Sequence, residues 1–287
     1  MARFQHTVTL APVPRRWFES CVAALDDLAA GTDVEGGRLT LPDGRPLPGL
    51  VLTEGRHLGP GARYRPVNEE DGEPDADQCL TVLARDRRGE TVLEVVSLDT
   101  LDDDPAHRAR LVCALGLTSV ERPGKAWLSA TLRSDGGKRA KYLGGAGRLR
   151  LDLGRWWQAT SHGRHPSRAP LGGTLTHALV RVSVTVVPRP APDGRWRVTV
   201  RARVRGRSFA RPLLPLATAL LGRRARRAGA EALERAAVAW NAKVPALVRM
   251  DGERLSAELA DALLGAPEPA PCVRPRGSAR RAHTRIE

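Results

Sequence analysis

The chain opens on a clean alternation. In RFQHTVTL, Phe4, His6, Val8 and Leu10 fall on one side of an extended backbone and Gln5, Thr7 and Thr9 on the other, which predicts a half-buried strand. Pro12 and Pro14 end it, and PRRWFESCVAALDDLAAG changes period: Trp17, Phe18, Cys21, Ala24, Leu25 and Leu28 recur at helical spacing until Gly31. Between residues 33 and 66, RLTLP and LVLTEGRHL read as short strands joined by the turn formers of PDGRPLPG and GPGARYRP. The acidic NEEDGEPDAD, 68–77, reads as a surface loop. QCLTVLA and TVLEVVSLD form a hairpin about RDRRGE. DTLDDDPAHRARLVCALGL predicts a second short helix, with Asp102 to Asp104 suited to its positive N-terminus.

The second half is strand-rich. KAWLSATLR sets Ala126, Leu128, Ala130 and Leu132 against Trp127, Ser129 and Thr131, and GRLRLDLGRWW sets Leu149, Leu151 and Leu153 against Arg148, Arg150 and Asp152. THALVRVSVTVV places Val180, Val182, Val184 and Val186 on one face, and PRPAPDG turns the chain into RWRVTVRARVRGR. There Trp196, Val198, Val200, Ala202 and Val204 oppose Arg195, Arg197, Thr199, Arg201, Arg203 and Arg205. After Gly206 the period lengthens. Leu213, Ala217, Leu221, Ala225, Ala228, Ala232, Ala236, Trp240 and Val244 predict the apolar stripe of one helix of about thirty residues, closed at Pro245. ERLSAELADALL predicts a shorter amphipathic helix with Leu255, Leu259 and Leu263 aligned. Residues 266–287, Pro-rich and then carrying five arginines, read as a disordered basic tail.

Strand, helix, a long antiparallel series and one long C-terminal helix predict an α+β fold: a curved antiparallel sheet wrapped around that helix. The layout resembles the helix-grip fold of the START-like superfamily, also called the SRPBCC or Bet v 1-like group. The resemblance is carried by HTVTLAPVPRRWFESC, by the Gly-punctuated EGRHLGPGARYR, and by the run from RWRVTVRARVRGR through the long helix. It implies a START-like domain over 1–250, a short helix over 251–265 and the tail beyond. The stretch from 67 to 175 is longer than a compact member needs.

The resemblance further implies a hydrophobic small molecule or lipid enclosed between helix and sheet, relatives being carriers or polyketide cyclases and aromatases. The residues it offers for ligand contact are Trp196, Val198 and Val200 on the last strand and Trp240 on the helix. Trp127, Trp156 and Trp157 are further large surfaces, and His6 is the polar group expected to point inward. The competing reading is ordinary core packing for each tryptophan and a satisfied core histidine for His6.

Composition narrows this picture. With 41% hydrophobic residues in 287, the chain can bury a sizeable core. No apolar run reaches spanning length, and the start lacks a basic segment followed by an apolar one, so a cytoplasmic protein is expected. Four dispersed cysteines form no CxxC, and the HxxH of His162 and His165 sits in a Ser/Gly/Pro loop that fixes no ligand geometry, so no metal is expected. SDGGKRAKYLGGAG lacks the GK[ST] of a phosphate loop, and no cofactor motif is present. Catalysis in such a fold needs a buried acid or base. Glu94, in VLEVVSL, is the carboxylate flanked on both sides by apolar residues, and faces inward only if Val92 and Val96 do.

The net charge of +14 is unevenly spread: residues 1–120 hold 13 Lys+Arg against 20 Asp+Glu, and residues 121–287 hold 33 against 12. A basic half favours anions. The arginine face of 195–205, GGKRAK, Arg223 to Arg227 and the tail together suit weak, non-specific contact with nucleic acid or a membrane surface. Aromatics interleaved with the cations, and helix-turn-helix or zinc-finger signatures, are missing, so sequence recognition is not expected.

Overall fold

The computed structural model describes residues 2–68, 72–100, 108–135, 144–161, 167–207 and 210–264, with backbone alone at 100, 135, 210–221, 253 and 263. His162, His165, the centre of the glycine-rich loop and the basic tail lie outside the described residues. In chain order the elements are β1 (Ala2–Leu10), α1 (Arg15–Ala30), β2 (Asp33–Glu35), β3 (Arg38–Thr40), β4 (Pro46–Glu54), β5 (Arg63–Pro66), β6 (Gln78–Arg85), β7 (Glu90–Thr100), β8 (Arg108–Thr118), β9 (Lys125–Asp135) and β10 (Gly145–Asp152). There follow α2 (Leu153–Ser161), β11 (Leu171–His177), β12 (Val180–Pro190), β13 (Trp196–Gly206), α3 (Ala210–Leu247) and α4 (Gly252–Leu264).

All thirteen strands form one sheet, ordered β1, β13, β12 and so on down to β2. Every pairing is antiparallel, so directly opposed residues share a face and the register links faces across strands. One such row runs Phe4, Ala202, Val184, Gly173, Leu149, Leu128, Leu115, Leu93, Val82. Its neighbour, on the other face, runs Gln5, Arg201, Thr185, Gly172, Arg150, Trp127, Gly116, Val92. The alternation within each strand therefore sums to one apolar face and one largely polar face.

The sheet curls around its apolar face. Trp17 and Phe18 of α1 pack against the buried cluster that holds Val8, Trp196 and Val198 at the β1 margin. Eight residues later Asp26 accepts from Arg85 at the end of β6, at 2.9 Å from Nη2 and 3.2 Å from Nε. Strands β1 and β6 stand eight places apart, about 38 Å in a flat sheet. The helix rises only about 12 Å between Phe18 and Asp26. Curvature brings β1 and β6 within its reach. Arg87 adds contacts to Asp26 at 3.1 Å and to Asp27 at 2.7 Å. His57 Nε2 donates to the Ala29 carbonyl at 3.3 Å, while the Tyr64 hydroxyl donates to His57 Nδ1 at 2.9 Å and accepts from the Leu58 amide at 2.7 Å.

Three expectations are corrected by the structure. The helix expected over 99–117 is, from Arg108 to Thr118, the strand β8, because Ala109, Leu111, Cys113, Leu115 and Leu117 alternate and pair along both neighbours. GRWW begins the helix α2, whose Arg155 amide donates to Asp152 Oδ1 at 2.9 Å in the manner of an N-cap. The long helix is not closed at Pro245 but runs on to Leu247, and it turns a different side inward. Leu233, Ala237 and Val244 enter the core, while Ala225, Ala228, Ala232, Ala236 and Trp240 are exposed.

Inside α1, burial pushes the Cys21 thiol from 9.0 up to about 11, so at about pH 8 roughly one molecule in a thousand carries the reactive thiolate. The raised value favours the folded state below pH 9.0, and that contribution is lost as pH rises toward 11. Iodoacetamide at about pH 8 should accordingly leave Cys21 unmodified in the native protein and alkylate it in urea, as read by peptide mass spectrometry. Equal labelling in both would mean that the thiol is not shielded.

Candidate ligand-binding groove

Among the described residues the inner face of the sheet is covered at its margins and open in its middle. At the β1 margin Val8, Trp196 and Val198 are buried together with Ala237 and Val244 of α3. At the other margin Leu39, Ala62, Tyr64 and Val82 form a second closed cluster. Between them Leu115 is 51% exposed and Leu175 50%, and Val95, Leu111, Leu128, Leu132 and Leu149 are exposed too. The pairings place all seven on the inner face: Leu115 opposes Leu128, which opposes Leu149, and Leu111 opposes Leu132. An aliphatic surface left wet on the concave side of a curved sheet is a groove floor.

The floor is open because of where α3 docks. Among the described residues it rests chiefly on β1 and β13, and α2 rests chiefly on β12. Asn241 fixes the position: its side-chain oxygen accepts from the Ala11 amide at 2.6 Å and its nitrogen donates to the Thr9 carbonyl at 2.9 Å. The Trp240 indole donates to the Ala11 carbonyl at 2.9 Å beside it. The floor is also low. Gly147 and Gly173 put no side chain there, and a β-carbon at Gly173 would run into the side chain of Leu149, so the leucine lies flat across the glycine. Where the groove closes, a cleft of about 390 Å³ opens between the start of α1 and α2, lined by Val13, Pro14, Arg15, Gly154, Trp157, Gln158, Thr160, Ser161 and Trp196.

The residues expected at the ligand separate into three groups. Trp196, Val198 and Val200 come together with Trp156 and Trp157, the indole of Trp196 lying 5.7 Å from Trp156 and 5.8 Å from Trp157 between ring centroids. This cluster packs the closed end of the groove. His6 is on the inner face and meets Glu234 of α3, Nε2 to Oε1 at 2.7 Å, at the flank of the open floor. Trp127 and Trp240 are elsewhere. Trp127 lies over Gly116 on the outer face, where its indole donates to Glu90 at 2.8 Å, and Trp240 is held against the end of β1. Glu94 shares the outer face with Thr81 and Ala114, which resolves its orientation away from the groove.

The floor leucines are not legible as site residues in the sequence, although alternation puts Leu128, Leu132 and Leu149 on a dry face. Their exposure depends on what covers that face, which no strand pattern encodes. Among the described residues no group of three or more His, Cys, Asp or Glu could hold a metal, and no helix is long and apolar enough to cross a membrane.

No family model matches the chain, and no curated protein matches it. Among solved structures, a chain titled "Crystal structure of Ara h 8.0201" aligns over 77% of this chain and 91% of its own at 12% identity, with a TM-score of 0.19. A likeness at that score supports no inference about this chain.

Proposed function

We propose that this chain is a START-like binder that holds a hydrophobic small molecule or lipid against the inner face of its sheet, beside α3, within a domain formed by residues 1–250. The supporting observation is the wet aliphatic floor centred on Leu115, Leu128 and Leu149. A ligand chain covering it gains about 0.8 kcal/mol per buried methylene. The His6–Glu234 pair at the flank supplies hydrogen-bonding groups for a polar end. The row through Leu115 is aliphatic, which supports binding, and the acid–base groups at its flank, His6 and Glu234, are paired with each other. A cyclase of the same fold would need an acid or base inside the groove, and Glu94, the carboxylate offered by the sequence, faces the other way.

The test is titration with an environment-sensitive fatty acid probe, together with organic extraction of protein purified from its source. Leu115→Glu and Leu149→Glu set a charge into the floor, and each should weaken probe binding at least about tenfold, or about 1.4 kcal/mol. Both side chains are already exposed, at 51% and 41%, so the melting temperature should move little. Undiminished probe binding in both variants would remove the groove from consideration.

A further inference from the structure

The outer face of the same sheet carries a different signal. Across β1, β13, β12, β11 and β10 it presents Arg3, Arg148, Arg150, Arg181, Arg197, Arg201, Arg203 and Arg205, all exposed, set among Gln5, Thr7, Thr174, Thr176, Ser183 and Thr185. The carboxylate on this face of the five strands is Asp152, at the end of β10 and 3.3 Å from Arg155. At the far margin of the sheet, by contrast, arginines are neutralised. Arg45 pairs with Asp43 and Asp261, Arg63 with Glu54, Arg85 with Asp26, and Arg87 with Asp26 and Asp27. A compositional preference for arginine accounts for the number of cations. It does not gather them on an acid-poor face.

The register makes the arrangement costly. Arg3 stands directly opposite Arg203, and Arg181 directly opposite Arg205. Like charges at directly opposed positions destabilise a sheet. A bound polyanion would relieve both repulsions at once. The chemistry of the patch selects among polyanions. Arginine forks with Ser, Thr and Gln between them are the side chains that hold phosphodiester oxygens. No leucine, phenylalanine or tryptophan projects outward from these five strands to enter a bilayer, and no aromatic on them is placed to stack on an unpaired base. The field measures about 19 Å across the strands and about 27 Å from Arg197 to Arg205, enough to meet several phosphates of a duplex.

We propose that the arginine face of β1, β10, β12 and β13 binds the phosphate backbone of double-stranded nucleic acid without regard to sequence. It lies on the opposite side of the sheet from the groove, so the two sites are independent and can be filled together.

Fluorescence anisotropy of the full chain with a labelled random-sequence duplex of about 30 bp, over salt from about 50 to 200 mM, tests this directly. The parent should bind with affinity that falls steeply with salt. The triple variant Arg148→Ser, Arg201→Ser, Arg203→Ser should lose at least about tenfold in affinity at about 100 mM salt, and its slope of log affinity against log salt should shrink by about 2.7, for three lost contacts. Its melting temperature should hold or rise, because the Arg3–Arg203 repulsion is gone, and its groove should still take up the fatty acid probe. Those two readings separate lost contacts from lost folding. The proposal is overturned if affinity and slope are unchanged in the variant, since the attraction then belongs to other cations. It is equally overturned if the protein sediments with phosphatidylserine vesicles and leaves the duplex free.

Discussion

Trp196→Ala should cost about 4 kcal/mol of folding stability. The side chain is 7% exposed at the start of β13, faces Leu10 across one pairing and Pro190 across the other, and has the indoles of Trp156 and Trp157 against it. Truncation removes its buried apolar surface and leaves a hole that three separate elements line, so no single shift can fill it. Urea unfolding should give a lower midpoint at unchanged slope, and Trp196→Phe should recover about half the difference. A cost under about 1 kcal/mol would mean that the three indoles do not form a packed unit.

The second large effect is expected from Arg85→Ala, at about 2–3 kcal/mol. The Asp26 side chain is 9% exposed and that of Arg85 22%, so the substitution leaves a nearly buried carboxylate with only the 3.1 Å approach of Arg87. This exceeds an ordinary surface pair, worth about 0–1 kcal/mol, because the stranded charge has lost its two-bond partner and most of its water. Adding Asp26→Asn should restore most of the loss, since the amide needs no counter-charge. The double variant separates a stranded charge from a lost contact: if it is no more stable than Arg85→Ala alone, the pair acts through packing. As this pair ties α1 to β6, small-angle scattering of Arg85→Ala should also show a more open sheet.

Much of the fold is legible in the sequence, and the failures have physical causes. Strand faces follow from local geometry. Trp196, Val198 and Val200 alternate with Arg197, Thr199 and Arg201, and the registers keep the two sets on opposite faces across the sheet. The helix α3 is legible in position but not in orientation. Alanines surround most of its circumference, each gaining little from burial, so the buried side is chosen by the grip of Asn241 on Thr9 and Ala11, a contact 230 residues apart in the chain. The strand β8 is masked by Asp102 to Asp104, whose suitability for a helix start competes with the alternation of Leu111, Cys113 and Leu115. The helix α2 has a signal in Asp152, three residues ahead of the amide it caps.

The candidate site divides in the same way. Alternation by itself determined that Leu128, Leu149 and their neighbours share a dry face, and that the arginines of β13 share a wet one, because side chains in an extended chain point to alternate sides whatever the rest of the protein does. Only the tertiary structure decided that thirteen strands join one sheet, that Trp127 and Glu94 face outward, and that the middle of the dry face stays uncovered. Among the described residues α3, about 10 Å across, lies along one margin of that sheet and leaves its middle uncovered. Coverage depends on how many strands pair and where the helix is pinned, and both are set by contacts between residues far apart in the chain.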